Sequence, residues 1–589
     1  MLNKILALPL LALSLSLLVG DTRNAAFARS SLNDGDIVGH VIAGYQGWFA
    51  APGDGSPVGD LPTGKGNYHD NYETYPDMRE FPDREQFTVP KGWSALPNGN
   101  PARILSSNRD ATTDIHARWM KQYGVDVAAI QRFGEVAREP TQAAQKNDLT
   151  RRLMRACERH GVKFYIEYDT SGSGRDGWGP DFVKGVQDDW NRFAVAEKII
   201  GSTAYARQNG KPVVELWGMG LHDNGISTDP AKWLTLVNWF KKRGVYVIAG
   251  TATGWRTNDR DAVPGFEAVY AASDAISPWM VGRISTIAGT DDFAHKSLIP
   301  DFDWCKAHHV DYIPCIYPGT SFFNSNGRTK NIIPRRNGEL MWRQFANLRS
   351  AGISTCFISM FDEYNEATAI AKSAEDVSMV PAHQWFLTLD ADGADLSSDY
   401  YLRLTADGGR MLKGITPLQW TPPTPHRNDL FLTSFEDGQP QPGNATFSTD
   451  RPQRGSRSLV YDGDVPSSGG AVTRKLFDFT GHPLTLSRNS LFYYWLLPQN
   501  PNGRYVALSL HFTNGTTLST SRCTDQNGRP LRASAGHGGT IALNTWTPIT
   551  AWIGDTLAGK KIDSIWAIYN HPGGSGPFRC KIDDIEITR

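Results

Sequence analysis

From about residue 37 to residue 420, short apolar runs alternate with amphipathic stretches, the pattern of a parallel α/β fold. Eight of the apolar runs have strand length: Ile37–Tyr45, Val125–Phe133, Lys163–Asp169, Pro212–Gly218, Val245–Gly254, Ala275–Val281, Val310–Pro318 and Ser354–Phe361. They are near-continuously apolar rather than alternating, as strands buried on both faces are, and eight of them fit a closed (β/α)8 TIM barrel. Helical periodicity fills intervals between them, at Asp148–His160, Asp188–Gln208, Ile299–His309, Glu339–Ser350 and Asp395–Leu412. A further helix runs from Pro230 to Arg243 behind an Asp229 cap, and Gly161, Gly210 and Gly244 act as stops.

Two stretches break this rhythm. Ala50 to Asp110 is rich in Gly, Pro and Asn without periodicity, and as a loop after the first strand it would overhang one barrel face. Thr421–Pro425 reads T-P-P-T-P, a stiff linker. Beyond Leu430 helical patterns stop, and alternating stretches such as Ser490–Leu497, Tyr505–Phe512, Ser564–Tyr569 and Lys581–Thr588 follow, separated by turn residues. The expected organisation is a barrel over 29–420, a linker over 421–427 and an all-β jelly-roll sandwich over 428–589.

Composition alters the picture at three points. Met1 to Ala28 has a lysine, an apolar run from Ile5 to Val19 and an A-x-A site at Ala26–Ala28, so an export signal over 1–28 and a secreted or periplasmic product are expected. No later run is long enough to span a bilayer, and the formal net charge of −1 favours neither nucleic acid nor an anionic membrane as partner. Six cysteines in 589 residues do not make a disulfide scaffold: Cys356 reads as a buried thiol, while Cys523 with Cys580 and Cys305 with Cys315 are candidate pairs. No C-x-x-C or H-E-x-x-H spacing points to zinc, so no catalytic cofactor is expected.

The candidate chemistry sits at the end of the eighth strand. Cys356, Phe357, Ile358 and Met360 are apolar, and Asp362, Glu363 and Glu366 follow at once. The C-terminal ends of barrel strands are where such folds place reacting groups. Two glutamates facing one cleft raise each other's pKa, so that one stays protonated while the other is an anion, as glycosidic cleavage requires. Past the other strand ends lie Tyr45, Gln46 and Trp48, Arg132, Glu167 and Asp169, Trp217 and His222, Trp255, Trp279 and Tyr317, with Tyr364 beside the glutamates. Aromatics at 11% of the chain, with 18 Trp, suit flat contacts with sugar rings.

Phe361-Asp-Glu-Tyr-Asn-Glu-Ala-Thr-Ala-Ile370 resembles the F-N-E-W-H-E-G-T-Q-I motif of the family 99 glycoside hydrolases, the endo-α-mannosidases. Ile313–Gly319 resembles that family's strand ending in P-G, and Arg335–Gly338 its following N-R-x-G. Phe164–Tyr168 is similar to its F-H-I-E-P-Y segment, and Ala43–Phe49 stands where the family has Y-Y-P-W-Y. Tyr364 and Asn365 depart from the motif's Trp and His, and the stretch is also similar to the W-N-D-Y-G-E-S of the family 71 α-1,3-glucanases. The family 99 likeness implies Glu366 as general acid and Glu363 as the base acting on the sugar 2-hydroxyl, with retention; the family 71 likeness implies inversion. It also implies a sugar-contacting role for Glu167. The C-terminal region resembles carbohydrate-binding jelly rolls, and Ser434–Asp437 with Ile582–Ile585 look like edges that hold structural Ca²⁺, with Glu436 and Asp584 as candidate ligands.

The sequence thus predicts a monomeric glycosidase acting on an α-linked oligo- or polysaccharide. A non-catalytic glycan-binding protein using the same cleft is the alternative.

Overall fold

The computed structural model describes residues 35–56, 72–89 and 92–589. The export-signal candidate, and 57–71 and 90–91 of the long loop, lie outside the described residues. The barrel strands are β1 (Val41–Tyr45), β2 (Val127–Arg132), β3 (Lys163–Asp169), β4 (Lys211–Met219), β5 (Tyr246–Thr251), β6 (Ala275–Pro278), β7 in two pieces (Asp311–Tyr312 and Cys315–Ile316) and β8 (Cys356–Ile358). All pair in parallel, in the order 7-6-5-4-3-2-1-8. The first piece of β7 pairs with β6 and the second with β8, so β7 links the two ends of the sheet into a TIM-like α/β barrel. Pro314 lies at the break, where a residue without an N–H cannot continue the ladder.

Helices pack outside the strands, and their ends follow local chemistry. Asp229 accepts a hydrogen bond from the Ala231 N–H at 2.9 Å with Pro230 in the first turn, and the long helix Pro140–His160 ends on Gly161 at φ +70°. The helix expected over Asp188–Gln208 is different in the structure. A helix over Phe182–Asp189 widens into a π turn at Trp190–Val195, and Arg207–Gln208 forms a two-residue strand antiparallel to the start of β4. The reason is local: Asn209 and Gly210 both take positive φ, +52° and +74°, making the Asn-Gly hairpin turn that reverses the chain.

The C-terminal region consists of antiparallel sheets. The strand Gly576–Thr588 pairs with Asp429–Thr433, Ser458–Val465 and Phe492–Pro498, and Lys561–Tyr569 organises a second sheet with Val472–Asp478 and Val506–Phe512. Leu459, Leu496 and Ile582 of the first sheet share one core with Leu508, Leu510 and Ile565 of the second. Neither cysteine pair forms; all six thiols are free and buried. Cys315 Sγ instead meets Ser359 Oγ at 3.2 Å, and the Cys580 thiol donates to the Lys581 carbonyl.

Charged groups join this region to the barrel. Arg79 pairs with Asp77 at 2.8 Å and Glu375 at 2.7 Å, and Glu375 also meets Arg427 at 3.1 Å and Arg454 at 3.2 Å. Against the upward push of burial, these three guanidiniums hold the Glu375 carboxyl well below the usual range.

Candidate active site

The strand ends bring four carboxylates and their partners to one face of the barrel. After β8 the chain turns so that Asp362 accepts the backbone N–H groups of Gln46 and Gly47 at 2.7 and 2.9 Å, tying the end of β8 to the end of β1. Burial raises Asp362 to about 6, with those two N–H groups and Lys146 opposing. Glu363 is buried. Its two oxygens accept from Gln46 Nε2 at 2.8 Å and Thr368 Oγ1 at 2.5 Å. Burial first, then the charge of Glu366, push its pKa well above the glutamate range, and the hydrogen bonds from Thr368 and Gln46 resist.

Glu366 is half-buried, and among the described residues no donor reaches its carboxylate. Burial and the nearby charge of Glu73 push it up to about 7. Its backbone carbonyl is held by Thr320 Oγ1 at 2.7 Å and Ser321 N at 3.0 Å, which sets the loop's position. Glu73 comes from the long loop after β1. Its backbone N–H donates to the Tyr364 carbonyl at 2.9 Å, and its carboxylate accepts from Ser321 Oγ and the Ser325 N–H at 2.8 and 3.0 Å. That loop therefore closes over the β8 end, as its place in the sequence suggested.

A second carboxylate pair lies on the neighbouring strands. Glu167 on β3 and Glu215 on β4 are in register, and Gln131 on β2 is in register with Glu167. Gln131 Nε2 donates to Glu167 Oε1 at 3.1 Å, and the Tyr165 hydroxyl donates to Glu215 at 2.6 Å. Burial raises Glu215 to about 7; burial, then Glu215, Asp169 and Glu363, raise Glu167 well above the ordinary range. Four buried polar atoms here have no partner: Gln46 Oε1, Gln131 Oε1, Glu167 Oε2 and the Trp217 indole nitrogen. Such groups can meet a ligand's hydroxyls without first losing protein hydrogen bonds.

Other expected site residues divide sharply. Asp169, raised to about 6 by burial, and Trp217, edge-on to Trp279 at 5.5 Å, stay at the strand ends. Trp48 is half-buried and stacks on Phe133 at 5.3 Å. Arg132 does not face the cleft: it is fully buried and bound to Asp189 at 2.8 Å, beside Thr150 and Asn147. Trp255 is likewise interior, its indole N–H donating to Asp301 at 3.0 Å. Tyr317 is buried with its hydroxyl donating to the Ile284 carbonyl, and Tyr45 is buried against His116 at 3.0 Å. Tyr364 is buried and packs edge-on to Phe49 at 5.7 Å. For Arg132, Trp255, Tyr317 and Tyr45 the polar tip of a large side chain found a partner inside the fold.

The two residues expected at a Ca²⁺ edge both have hydrogen-bond partners within the fold. Glu436 accepts from the Ser456 N–H and hydroxyl and the Arg457 N–H, while Asp584 accepts from Ser434 Oγ and lies 3.8 Å from the Arg454 guanidinium. Among the described residues no group of three or more His, Cys, Asp and Glu side chains could hold a metal.

Sequence reading missed Glu73, Gln131 and Glu215. The last two had a signal, a polar residue inside an apolar strand run; Glu73, in an aperiodic loop, had none. Gln46 orders Glu363 directly, so Gln46→Leu is expected to lower turnover by about 10- to 100-fold with an unchanged thermal midpoint. Steady-state kinetics beside a melting curve would check this, and unchanged turnover would remove Gln46 from the site.

No protein-family model matches the chain, and no curated protein matches it. Among solved structures it is similar to a GH99 endo-α-mannosidase from Bacteroides thetaiotaomicron, at 19% identity and TM-score 0.45, over 64% of this chain and 98% of that one. It is also similar to a glycoside hydrolase-like protein, at 15% identity and TM-score 0.42, over 64% of this chain and 94% of that one. A family 5 mannosidase from Rhizomucor miehei matches at 11% identity and TM-score 0.31, over 59% of this chain and 99% of that one.

Proposed function

We propose that this protein is a glycoside hydrolase that cleaves an α-linked oligo- or polysaccharide, with Glu366 as general acid and Glu363 as base. The observation that supports it most directly is the unequal setting of two electrostatically coupled glutamates on one loop. Burial raises both glutamates, but Glu363 accepts two hydrogen bonds that oppose the rise, while Glu366 lacks donors and is pushed up to about 7. In the reaction Glu366 gives its proton to the leaving glycosidic oxygen as the anomeric bond breaks. Glu363 removes the proton of the sugar 2-hydroxyl, whose oxygen attacks the anomeric carbon. Water then attacks the anomeric carbon as it gives its proton to the Glu366 carboxylate, the bond from that carbon to the 2-oxygen breaks, and Glu363 returns its proton to restore the hydroxyl. Glu167 and Trp217 contact the substrate's hydroxyls and ring. The α linkage and the retaining course follow the family 99 resemblance. The chain acts as a monomer in the periplasm or medium; among the described residues no helix is long and apolar enough to cross a membrane.

Digestion of a polysaccharide panel, with product anomers followed by NMR, tests the assignment. Reducing ends released with retention are expected. Tight binding without release would make the protein a glycan binder, and inverted products would replace the 2-hydroxyl route by a water attack.

The alkaline side of the rate profile follows from Glu366. The acid must hold its proton, so kcat/KM should fall about tenfold per pH unit above about 7. Glu73 contributes to that elevation, so Glu73→Gln should move the alkaline limb to lower pH. An unmoved limb would show that Glu73 does not tune the acid.

A further inference from the structure

A cavity lies away from the barrel face, at the seam between the loop segments 72–89 and 92–103 and the C-terminal sheets. It encloses about 380 Å³, at the small end for ligand sites (about 300–1,000 Å³). Trp495 and Trp546 line it. With Leu497 they form a small apolar cluster separate from the main core of the sheets, in which Trp495 keeps 8% exposure and Trp546 2%. Two other lining residues, Gln453 and Ser378, each have a buried oxygen with no hydrogen-bond partner. Gln453 is only 7% exposed, so that oxygen is removed from water by the fold itself.

The charges in the wall are mostly cancelled. Arg79 pairs with Asp77, Asp83 with Arg529, and Arg454 with Asp376. Arg103 is the exception: it lines the cavity, and among the described residues its guanidinium makes no ion pair or hydrogen bond. The remaining recognition surface is therefore two indole rings, an amide, a hydroxyl and one donor fork.

We propose that this cavity binds a neutral sugar, one or two rings of a glycan, at a site separate from the catalytic face. Indole rings match the apolar C–H face of a pyranose, while the amide, hydroxyl and guanidinium match its hydroxyls. A neutral ligand fits the balance of paired charges, and a volume of about 380 Å³ suits one or two sugar rings. The proposal stands apart from the hydrolase reading, because its test reads binding and not cleavage.

The experiment uses the full chain carrying Glu366→Gln, which slows turnover, titrated calorimetrically with D-glucose, D-mannose, D-galactose, maltose and D-glucuronate. Saturable binding of at least one neutral sugar is expected. Arg103→Ala removes the donor fork, and Ala542→Trp fills the mouth from an exposed lining position. Each should weaken that binding by about tenfold or more, the loss expected for a hydrogen bond to a charged group, without lowering the thermal midpoint. Tyr75 donates to the backbone carbonyl of Arg103, a contact that the alanine keeps. No binding of any neutral sugar, unchanged affinity in both variants, or tighter binding of glucuronate than of glucose would each overturn the proposal.

Discussion

Replacing Glu366 by Gln is expected to lower turnover by about 10²- to 10⁴-fold, the usual contribution of a positioned general acid, with little change in KM. The amide keeps the size of the acid but cannot release a proton to the leaving oxygen. The same variant carries a stability signature of opposite sign. Because the folded-state pKa of Glu366 lies above the ordinary glutamate value, proton binding favours the folded chain at low pH. That contribution is lost as pH rises through about 7, when a charge must form on a largely buried group. Glu366→Gln has no such charge to form, so at pH 8 it should unfold at or above the wild-type temperature. Wild-type turnover in this variant would remove Glu366 as the acid. Loss of turnover together with a lower midpoint would instead mark it as part of the scaffold.

Truncating Asp189 to Ala should cost about 3–5 kcal/mol of folding stability, because it leaves the Arg132 charge buried without its ion partner, and Arg132→Ala should cost less, because Arg192 at 3.2 Å and the Tyr168 hydroxyl at 3.0 Å still meet Asp189. Both side chains are 0% exposed, and the guanidinium meets the two Asp189 oxygens at 2.9 and 2.8 Å. Arg132→Lys should recover only part of the loss, since an ammonium cannot reproduce that paired geometry. The substrate KM of the folded fraction should stay unchanged. Urea unfolding followed by kinetics on the surviving protein separates the two roles. A wild-type unfolding midpoint with a raised KM would return Arg132 to the substrate cleft, where its strand-end position first suggested it belonged.

That residue illustrates how far strand-end position alone can be read. In a barrel, polar residues near the C-terminal end of a strand alternate between the interior and the helix layer. Arg132 is directed to the helix layer, where Asp189 waits on the helix Phe182–Asp189, while its neighbour Gln131 meets Glu167. Trp255 and Tyr317 belong to the same class: large side chains whose polar tips were satisfied by Asp301 and the Ile284 carbonyl inside the fold.

What the sequence determined by itself was the alternation of eight apolar strands with helices, the all-β composition after the proline-rich linker, and the acidic cluster past β8. These are local properties, because burial on both faces requires continuous apolar runs and turn chemistry resides in neighbouring residues. The tertiary structure alone decided which polar groups share a space. Glu73, distant in the chain and without a periodic signature, bears on Glu366, and Gln46 orders Glu363 from across the barrel. It also left Cys523 and Cys580 unpaired and turned Glu436 and Asp584 toward donors. The physical reason is that electrostatic environment depends on distance in space, which chain order does not encode. The proposed hydrolysis requires Glu363 and Glu366 to act on one bond while differing in the hydrogen bonds each receives. A crystal structure with bound sugar in which either carboxylate stands away from the scissile bond would end it.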